Sequence, residues 1–213
     1  GTSSTGTLSS AEGNTGVGIG VFGALTSGDN NVAVGLNALD VNTTGSENVA
    51  VGMGALDTNT TGAGNISIGC GSMSANVSGN YNVAIGRCAL DTSVSGSSNV
   101  AIGDRALYTN TASYNTSVGF FSLAANTTGE TNVAVGQNSL AANTTGARNT
   151  GIGQNALLVS TTGANNTAVG QGALEANTTA SDNSAFGHDS LVANTTGVQN
   201  SAYGYRSLAA NTT

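Results

Sequence analysis

Apolar and polar residues alternate in short runs that recur along nearly the whole chain. The run from Asn132 to Gly146 reads NVAVGQNSLAANTTG, and a similar run begins at Asn149. We place the first Asn of each run in column one and call each run a coil. Twelve coils begin 17 residues apart, with one interval of 16, at Asn14, Asn31, Asn48, Asn65, Asn82, Asn99, Asn115, Asn132, Asn149, Asn166, Asn183 and Asn200. A fixed period of this kind indicates a repeat architecture.

The columns of the repeat differ in what they accept. Column five is Gly in all twelve coils, column four is always apolar, and column nine is Leu or Met except for Phe22. Columns three and eight are mostly Gly, Ala or Ser, and columns twelve to fifteen mostly read Asn-Thr-Thr-Gly. Helical-hairpin repeats need about 33–47 residues. The shorter period predicts an all-β, parallel β-solenoid over residues 14–213, preceded by a flanking segment of residues 1–13.

The alternation within NVAVG predicts a strand with a core face and an opposite face. This prediction places Val133 and Val135 on the core face of the strand and Ala134 on the opposite face. Gly136 ends the strand, a second short strand carries Leu140 inward, and the Asn-Thr-Thr-Gly turn faces outward. Coils stacked about 4.8 Å apart would pair their backbones, and the column-one Asn residues would form an amide ladder.

The predicted core is thin, which favours self-association. Columns two, four and nine give three apolar residues per coil at most, against an ordering cost of about 1–2 kcal/mol per residue. The columns of Ala and Ser would let a second backbone approach closely. We therefore predict a homo-oligomer, with a trimer as the working hypothesis. Two copies of the chain could also stack end to end with the repeat in register. Thr213 occupies column fourteen at the end of one copy, and residues 11–13 of the next copy correspond to columns fifteen to seventeen.

Composition narrows the possible functions. The 213 residues carry a net charge of −7, only 7% are charged, and Lys is absent. Binding to nucleic acid or to an anionic membrane needs clustered basic residues, so both are disfavoured. No apolar run approaches the roughly 20 residues that span a bilayer. No signal peptide is visible, and we interpret the chain as a piece of a longer protein.

The motifs NVAVG, NVAIG and NTSVG, each followed by a short segment of the xxAL kind, resemble the YadA-like head repeats of trimeric autotransporter adhesins. Similar repeats occur in phage and other viral fibre proteins. The resemblance covers residues 14–213 and implies a left-handed parallel β-roll, three chains around one axis, an extracellular position and adhesion rather than catalysis. The repeat here is longer than the usual head repeat, because the Asn-Thr-Thr-Gly segment extends every coil.

Three functions follow as hypotheses, none with a cofactor or a metal. The leading one is a non-enzymatic structural and adhesive rod, either an adhesin head or a phage tail-fibre shaft, which binds a host-surface glycan or protein. The second is a self-assembling extracellular filament subunit, with or without glycans. The third is an ice-binding solenoid that presents its Thr residues to water. Each places the chain outside the cell, at a surface, in a filament or on a virion.

Two cysteines occupy neighbouring columns of adjacent coils. Cys70 is column six of coil four and Cys88 is column seven of coil five. The coil spacing and one residue of offset bring them to about 6 Å, within disulfide range. Either a bridge or two free thiols is compatible with the sequence.

Aromatic residues and the single His mark departures from the repeat. Phe120 and Phe121 occupy columns six and seven, where other coils are mostly polar, and His188 and Tyr205 share column six of the last two coils. We consider these four as contacts for a ligand or partner, with contact to a sister chain, or a plain exposed turn for His188, as the alternatives. Phe186 and Tyr203 of column four are assigned to core or axial packing.

Several polar columns carry formal site motifs. The sequence N-x-Thr marks six N-glycosylation acceptors, which otherwise are simple turn residues: Asn42, Asn59, Asn126, Asn143, Asn177 and Asn194. Their Thr neighbours are alternative O-glycan carriers.

Charged residues also meet in columns. Asp40 and Asp57 share column ten of adjacent coils, as a solvated pair or as ligands for Ca²⁺. Column neighbours of opposite charge predict two surface ion pairs, Arg87–Asp104 and Asp189–Arg206.

Overall fold

The computed structural model describes residues 10–213, in which each coil contributes one three-residue strand from column two to column four. The described residues divide into two compact units, residues 10–105 and 106–213. The first contains β1 (Thr15–Val17), β2 (Val32–Val34), β3 (Val49–Val51), β4 (Ile66–Ile68), β5 (Val83–Ile85) and β6 (Val100–Ile102). The second contains β7 (Thr116–Val118), β8 (Val133–Val135), β9 (Thr150–Ile152), β10 (Thr167–Val169), β11 (Ser184–Phe186) and β12 (Ser201–Tyr203).

Within each unit, every strand pairs in parallel with the next strand along the chain. Ala33 of β2 lies opposite Ala50 of β3, and Ala134 of β8 lies opposite Gly151 of β9, so residues of one column face each other. The predicted all-β, parallel β-solenoid is therefore confirmed. The segment 1–13 falls largely outside the described residues, although Ser10 N–H donates to the Thr26 carbonyl at 3.4 Å.

The second predicted strand is wrong, because column nine lies in a left-handed turn. Leu140 has φ 52°, and the column-nine residues of the other coils have similar values. Leu140 is nevertheless fully buried, as predicted. Gly136 ends its strand with φ 127°, so the prediction for column five is confirmed.

The orientation predicted for the strands is also wrong. Ala134 of column three is fully buried, whereas Val133 and Val135 are only half-buried. The interior beside column three has room for little more than a methyl group. A Cβ added to Gly16 would lie 2.7 Å from Val21 of column eight, and one added to Gly151 would lie 2.6 Å from the Ser139 hydroxyl. The larger apolar side chains consequently lie on the outer face.

Two Asn ladders fill much of the space inside the coils. In column one, Asn132 Nδ2 donates to Asn115 Oδ1 at 3.2 Å and the Asn132 backbone N–H donates to the same oxygen at 2.9 Å. In column twelve, Asn143 Nδ2 donates to Asn126 Oδ1 at 2.8 Å. The column-one ladder was predicted; the column-twelve ladder was not, since Asn143 was placed on an outward turn. All four of these residues are fully buried.

The carbonyl of column fifteen joins the two ladders. Gly146 O accepts one hydrogen bond from Asn132 Nδ2 and one from Asn143 Nδ2, both at 2.9 Å. A Cβ added to Gly146 would lie 2.3 Å from the Gly163 carbonyl and 2.4 Å from Asn143 Oδ1. Close packing inside the coil thus favours Gly at this position, although coil ten has Ala180 there and keeps the same two hydrogen bonds.

The 16-residue coil keeps this interior and shortens only its turn. Asn110 Nδ2 donates to the Ala112 carbonyl two residues later, whereas Asn143 donates to a carbonyl three residues later. Asn126 Nδ2 still reaches Asn110 Oδ1, at 2.6 Å. The missing residue corresponds to column fourteen, which is exposed in other coils, as at Thr145.

The column-twelve ladder is interrupted at Ser160, and this gap gives a stability prediction. Asn143 Oδ1 is buried without a partner. Across the gap, Asn177 Nδ2 donates to the Ser160 hydroxyl at 3.4 Å, besides its bond to the Ala180 carbonyl at 3.1 Å. We expect Ser160→Asn to restore the ladder and to raise the free energy of unfolding by about 1 kcal/mol, measured by urea denaturation. Asn177→Ser, which widens the gap, should lower it by about 1–3 kcal/mol. A lower urea midpoint for Ser160→Asn would contradict the proposed role of the ladder.

Column seventeen gives a second stability prediction. Thr131 is an exposed, β-branched residue with φ 57°, in a column where other coils have Asn30 at φ 57° and Asn165 at φ 58°. β-Branched residues are strained in this region, whereas Asn tolerates it. Thr131→Asn should stabilise the protein by about 0.5–1 kcal/mol, measured as the thermal midpoint. Thr145→Asn, at an exposed turn position of the next coil without positive φ, serves as the control and should change stability by less than about 0.5 kcal/mol.

Candidate functional site

The outward face of the strands is the most extensive candidate surface in each unit. Side chains of columns two and four point away from the interior and are partly exposed, for example Val34 at 36%, Ile68 at 38% and Ile152 at 39%. Their spacing follows the strands, about 4.8 Å from coil to coil. The result is an uncharged stripe that repeats with the coils and is largely apolar in the first unit.

The stripe is wider in the first unit. Column six adds exposed apolar side chains next to the strands in the first three coils, namely Ile19, Leu36 and Met53. The second unit is more polar at the corresponding positions. Column two there includes Thr or Ser in five of the six coils, and column six includes Gln137, Gln154 and Gln171. The two units therefore present the same backbone surface with different chemistry.

The predicted aromatic positions lie on these outer columns. Phe120 is 49% exposed and its ring centroid is 4.5 Å from that of Phe121, which is half-buried. Phe186 and Tyr203 stack with centroids 5.0 Å apart and planes 2° apart. The two rings therefore pack on each other, but a core position for Tyr203 needs correction, because this residue is 69% exposed.

His188 and Tyr205 meet on the last two coils, with ring centroids 5.5 Å apart. His188 Nδ1 lies 3.2 Å from Asp189 Oδ2.

The predicted Asp189–Arg206 ion pair is wrong, since the Asp189 carboxylate points toward Gly172 of the preceding coil. The Arg87–Asp104 pair is confirmed, with Nη2 and Oδ2 2.8 Å apart.

The six predicted N-glycosylation acceptors lie inside the coils. Each side chain is fully buried in the column-twelve ladder, and the amide nitrogen that would carry a glycan donates hydrogen bonds, as Asn143 Nδ2 does to Asn126 and Gly146. The prediction needs correction, because the folded coil offers no accessible acceptor nitrogen at the following residues: Asn42, Asn59, Asn126, Asn143, Asn177 and Asn194.

The two Thr residues of the turn differ in role. In column thirteen, Thr43 Oγ1 donates to the Thr60 carbonyl of the next coil at 2.9 Å, and Thr144 does the same to Thr161 at 3.0 Å. Column fourteen residues such as Thr145 are exposed. The adjacent hydroxyls therefore do not form one flat surface, which weakens the ice-binding hypothesis for this turn.

Cys70 and Cys88 are free thiols on adjacent coils. The Cys88 N–H donates to the Cys70 carbonyl at 3.0 Å, as the sequence spacing predicted for direct neighbours. Cys70 is exposed and Cys88 is half-buried. Burial raises the pKa of the Cys88 thiol, and the Asp91 carboxylate raises it further.

Asp40 and Asp57 are stacked neighbours as predicted, and burial together with the Asp40 charge raises the pKa of Asp57. Among residues 10–213, no group of three or more His, Cys, Asp or Glu side chains is arranged to hold a metal ion. No helix in this range has the length and hydrophobicity needed to cross a membrane.

Comparison with protein-family models, with curated proteins and with solved structures gives no match to this chain. The resemblance to YadA-like head repeats therefore rests on the repeat motifs alone. The surfaces described above are the basis for any functional proposal.

The raised pKa of Asp57 predicts a pH-dependent effect of its removal. A carboxyl whose folded pKa lies above its ordinary value of 3.8 destabilises the fold where it is ionised, and the effect vanishes below that value. Asp57→Asn should therefore stabilise the protein at pH 7 by a few tenths of a kcal/mol, since the site is largely solvated. The gain should disappear on acidification below about pH 4.

The measurement is a urea denaturation series between pH 3 and pH 8. Glu47→Gln, at an exposed turn position of a neighbouring coil, is the matched control and should show no such gain. A stabilisation by Asp57→Asn that grew as the pH fell would contradict the assignment.

Proposed function

We propose that this chain is a segment of a non-enzymatic extracellular rod whose coils associate side by side with further copies of the chain. The observation that carries the proposal is the outward strand face, with partly exposed Val or Ile at most positions of columns two and four. Contiguous apolar surface of this kind usually marks an interaction site. The interior is occupied by buried side chains and two Asn ladders, so the outer surface is where a partner would bind.

The face fits another copy of the chain better than an unrelated partner. Six strands about 4.8 Å apart and three residues of about 3.3 Å make an area of roughly 290 Å² per unit. Stable interfaces bury about 800 Å² per partner, so the strand stripe of one unit is too small by itself. Another copy has the same spacing from coil to coil and can repeat its contacts along many coils. A trimer, as the motif resemblance implies, is the assembly we favour.

The adhesive part of the proposal rests on positions that interrupt the repeat. Phe120 presents an exposed ring, and His188 and Tyr205 form a second exposed pair beside the strand face. Aromatic side chains on an otherwise uncharged surface suit a glycan or a protein ligand at a host surface. In this proposal, the repeated coils provide length and these few side chains provide selectivity.

The lateral association gives a direct test. In Val34→Thr/Val51→Thr/Ile68→Thr, three column-four side chains of adjacent coils become polar while keeping β-branched shape. We expect the native chain to sediment as an oligomer. The triple variant should dissociate at a protein concentration about tenfold or more higher than the native chain, because apolar contacts between copies are lost. The measurement is analytical ultracentrifugation, with circular dichroism to confirm that the variant is folded.

The control is Val94→Thr, which makes the same change on an exposed turn away from the strand face. It should leave the sedimentation coefficient unchanged. A native chain that sediments as a folded monomer at every concentration tested would contradict the proposal. Dissociation by the control to the same degree as by the triple variant would also contradict it.

A further inference from the structure

The cysteines are chemically the most distinctive pair in a chain with two Cys, one His and no Lys. They lie on adjacent coils of the first unit, and a backbone hydrogen bond of 3.0 Å joins the Cys88 N–H to the Cys70 carbonyl. The same bond recurs elsewhere between columns seven and six, for example from Asn37 to Ile19 at 2.8 Å. Their proximity is therefore fixed by the coil repeat itself.

The side chain of Cys88 reaches toward the coil that contains Cys70. Cys88 Sγ lies 3.6 Å from the position that a Cβ on Gly71 would occupy, and Gly71 directly follows Cys70. Since Gly71 has no side chain, nothing on that residue separates the two thiols. Neighbouring coils lie about 4.8 Å apart and one residue of offset adds about 3.3 Å. The two Cα atoms are therefore about 6 Å apart, which lies within the range for disulfides.

We propose that Cys70 and Cys88 form a modification site at which a low-molecular-weight disulfide oxidises the two thiols to a single inter-coil disulfide. The bridge would covalently join coils four and five, which the solenoid otherwise holds by hydrogen bonds and packing. This inference is independent of the proposed rod function, because it depends only on the geometry within the first unit.

The exposure of the two thiols sets the order of the reaction. Cys70 is exposed and is the attacking nucleophile; its thiolate displaces one thiolate from the oxidant and forms a mixed disulfide. The Cys88 thiolate then attacks the Cys70 sulfur and releases the second half of the oxidant as a thiol. In sum, two protein thiols and one disulfide give one protein disulfide and two small thiols. Burial raises the pKa of Cys88, which suits the resolving rather than the attacking role.

The test treats the folded chain with oxidised glutathione and follows the products by intact and peptide mass spectrometry without reductant. The native chain should lose two hydrogen atoms and yield one peptide pair linked through Cys70 and Cys88. Cys88→Ser should accumulate a stable glutathione adduct on Cys70. Cys70→Ser should react about tenfold or more slowly, because only the half-buried thiol remains. The oxidised native chain should also melt at a higher temperature, and dithiothreitol should reverse this shift.

A matched geometric control moves one thiol by a single coil. Met53 occupies column six of coil three and is exposed, so Met53→Cys/Cys70→Ser places two thiols in the same columns but two coils apart. At roughly 10 Å of axial separation no bridge can close without distortion. This variant should form glutathione adducts and no internal disulfide.

Three results would overturn the proposal. The first is a native chain that keeps a glutathione adduct on Cys70 without losing two hydrogen atoms. The second is a covalent dimer in place of the internal bridge. The third is an internal bridge in Met53→Cys/Cys70→Ser as readily as in the native chain, which would show that coil mobility and not the native geometry brings the thiols together.

Discussion

In most coils, the fold depends on one carbonyl group that accepts amide donors from two columns. Gly146 O, which binds both Asn132 Nδ2 and Asn143 Nδ2, is a representative case. A buried amide costs free energy unless its hydrogen bonds are made, so neither Asn can be replaced without consequences for the other. The same arrangement leaves little room for a Cβ at Gly146. Polar ladders, more than a hydrocarbon core, therefore determine which side chains the interior accepts.

Much of this fold could be predicted from the sequence, because the period, the strand position and the column-five Gly follow from simple patterns. The strand orientation could not, since the usual rule places Val133 and Val135 inside and Ala134 outside. The rule fails because columns eight and nine limit the space beside column three, as the neighbours of a Cβ added to Gly16 or Gly151 show. A signal was present: column three never exceeds Ser in size, whereas column two accepts Val, Ile, Thr and Ser.

The candidate sites were predictable to different degrees for a related reason. The position of a residue in the repeat predicts which residues of the next coil are its backbone neighbours. It therefore placed two pairs correctly, Cys70 with Cys88 and Arg87 with Asp104. It does not give side-chain direction, and the side chains of Cys88 and Asp189 in column seven lean toward the preceding coil. The second Asn ladder was missed because Asn-Thr-Thr-Gly also matches ordinary turn chemistry.

The short coil that ends before Asn115 has a consequence for how such a chain can change in evolution. Its missing residue falls at the outermost position of the turn, while Asn110 and Asn126 keep their ladder contact. A deletion at any other column would shift Asn, Gly and Leu out of alignment with their neighbours. Viable insertions and deletions are thus of two kinds, one residue at the tip of a turn or one complete coil. The length of the protein can change in steps of whole repeats without any redesign of its interior.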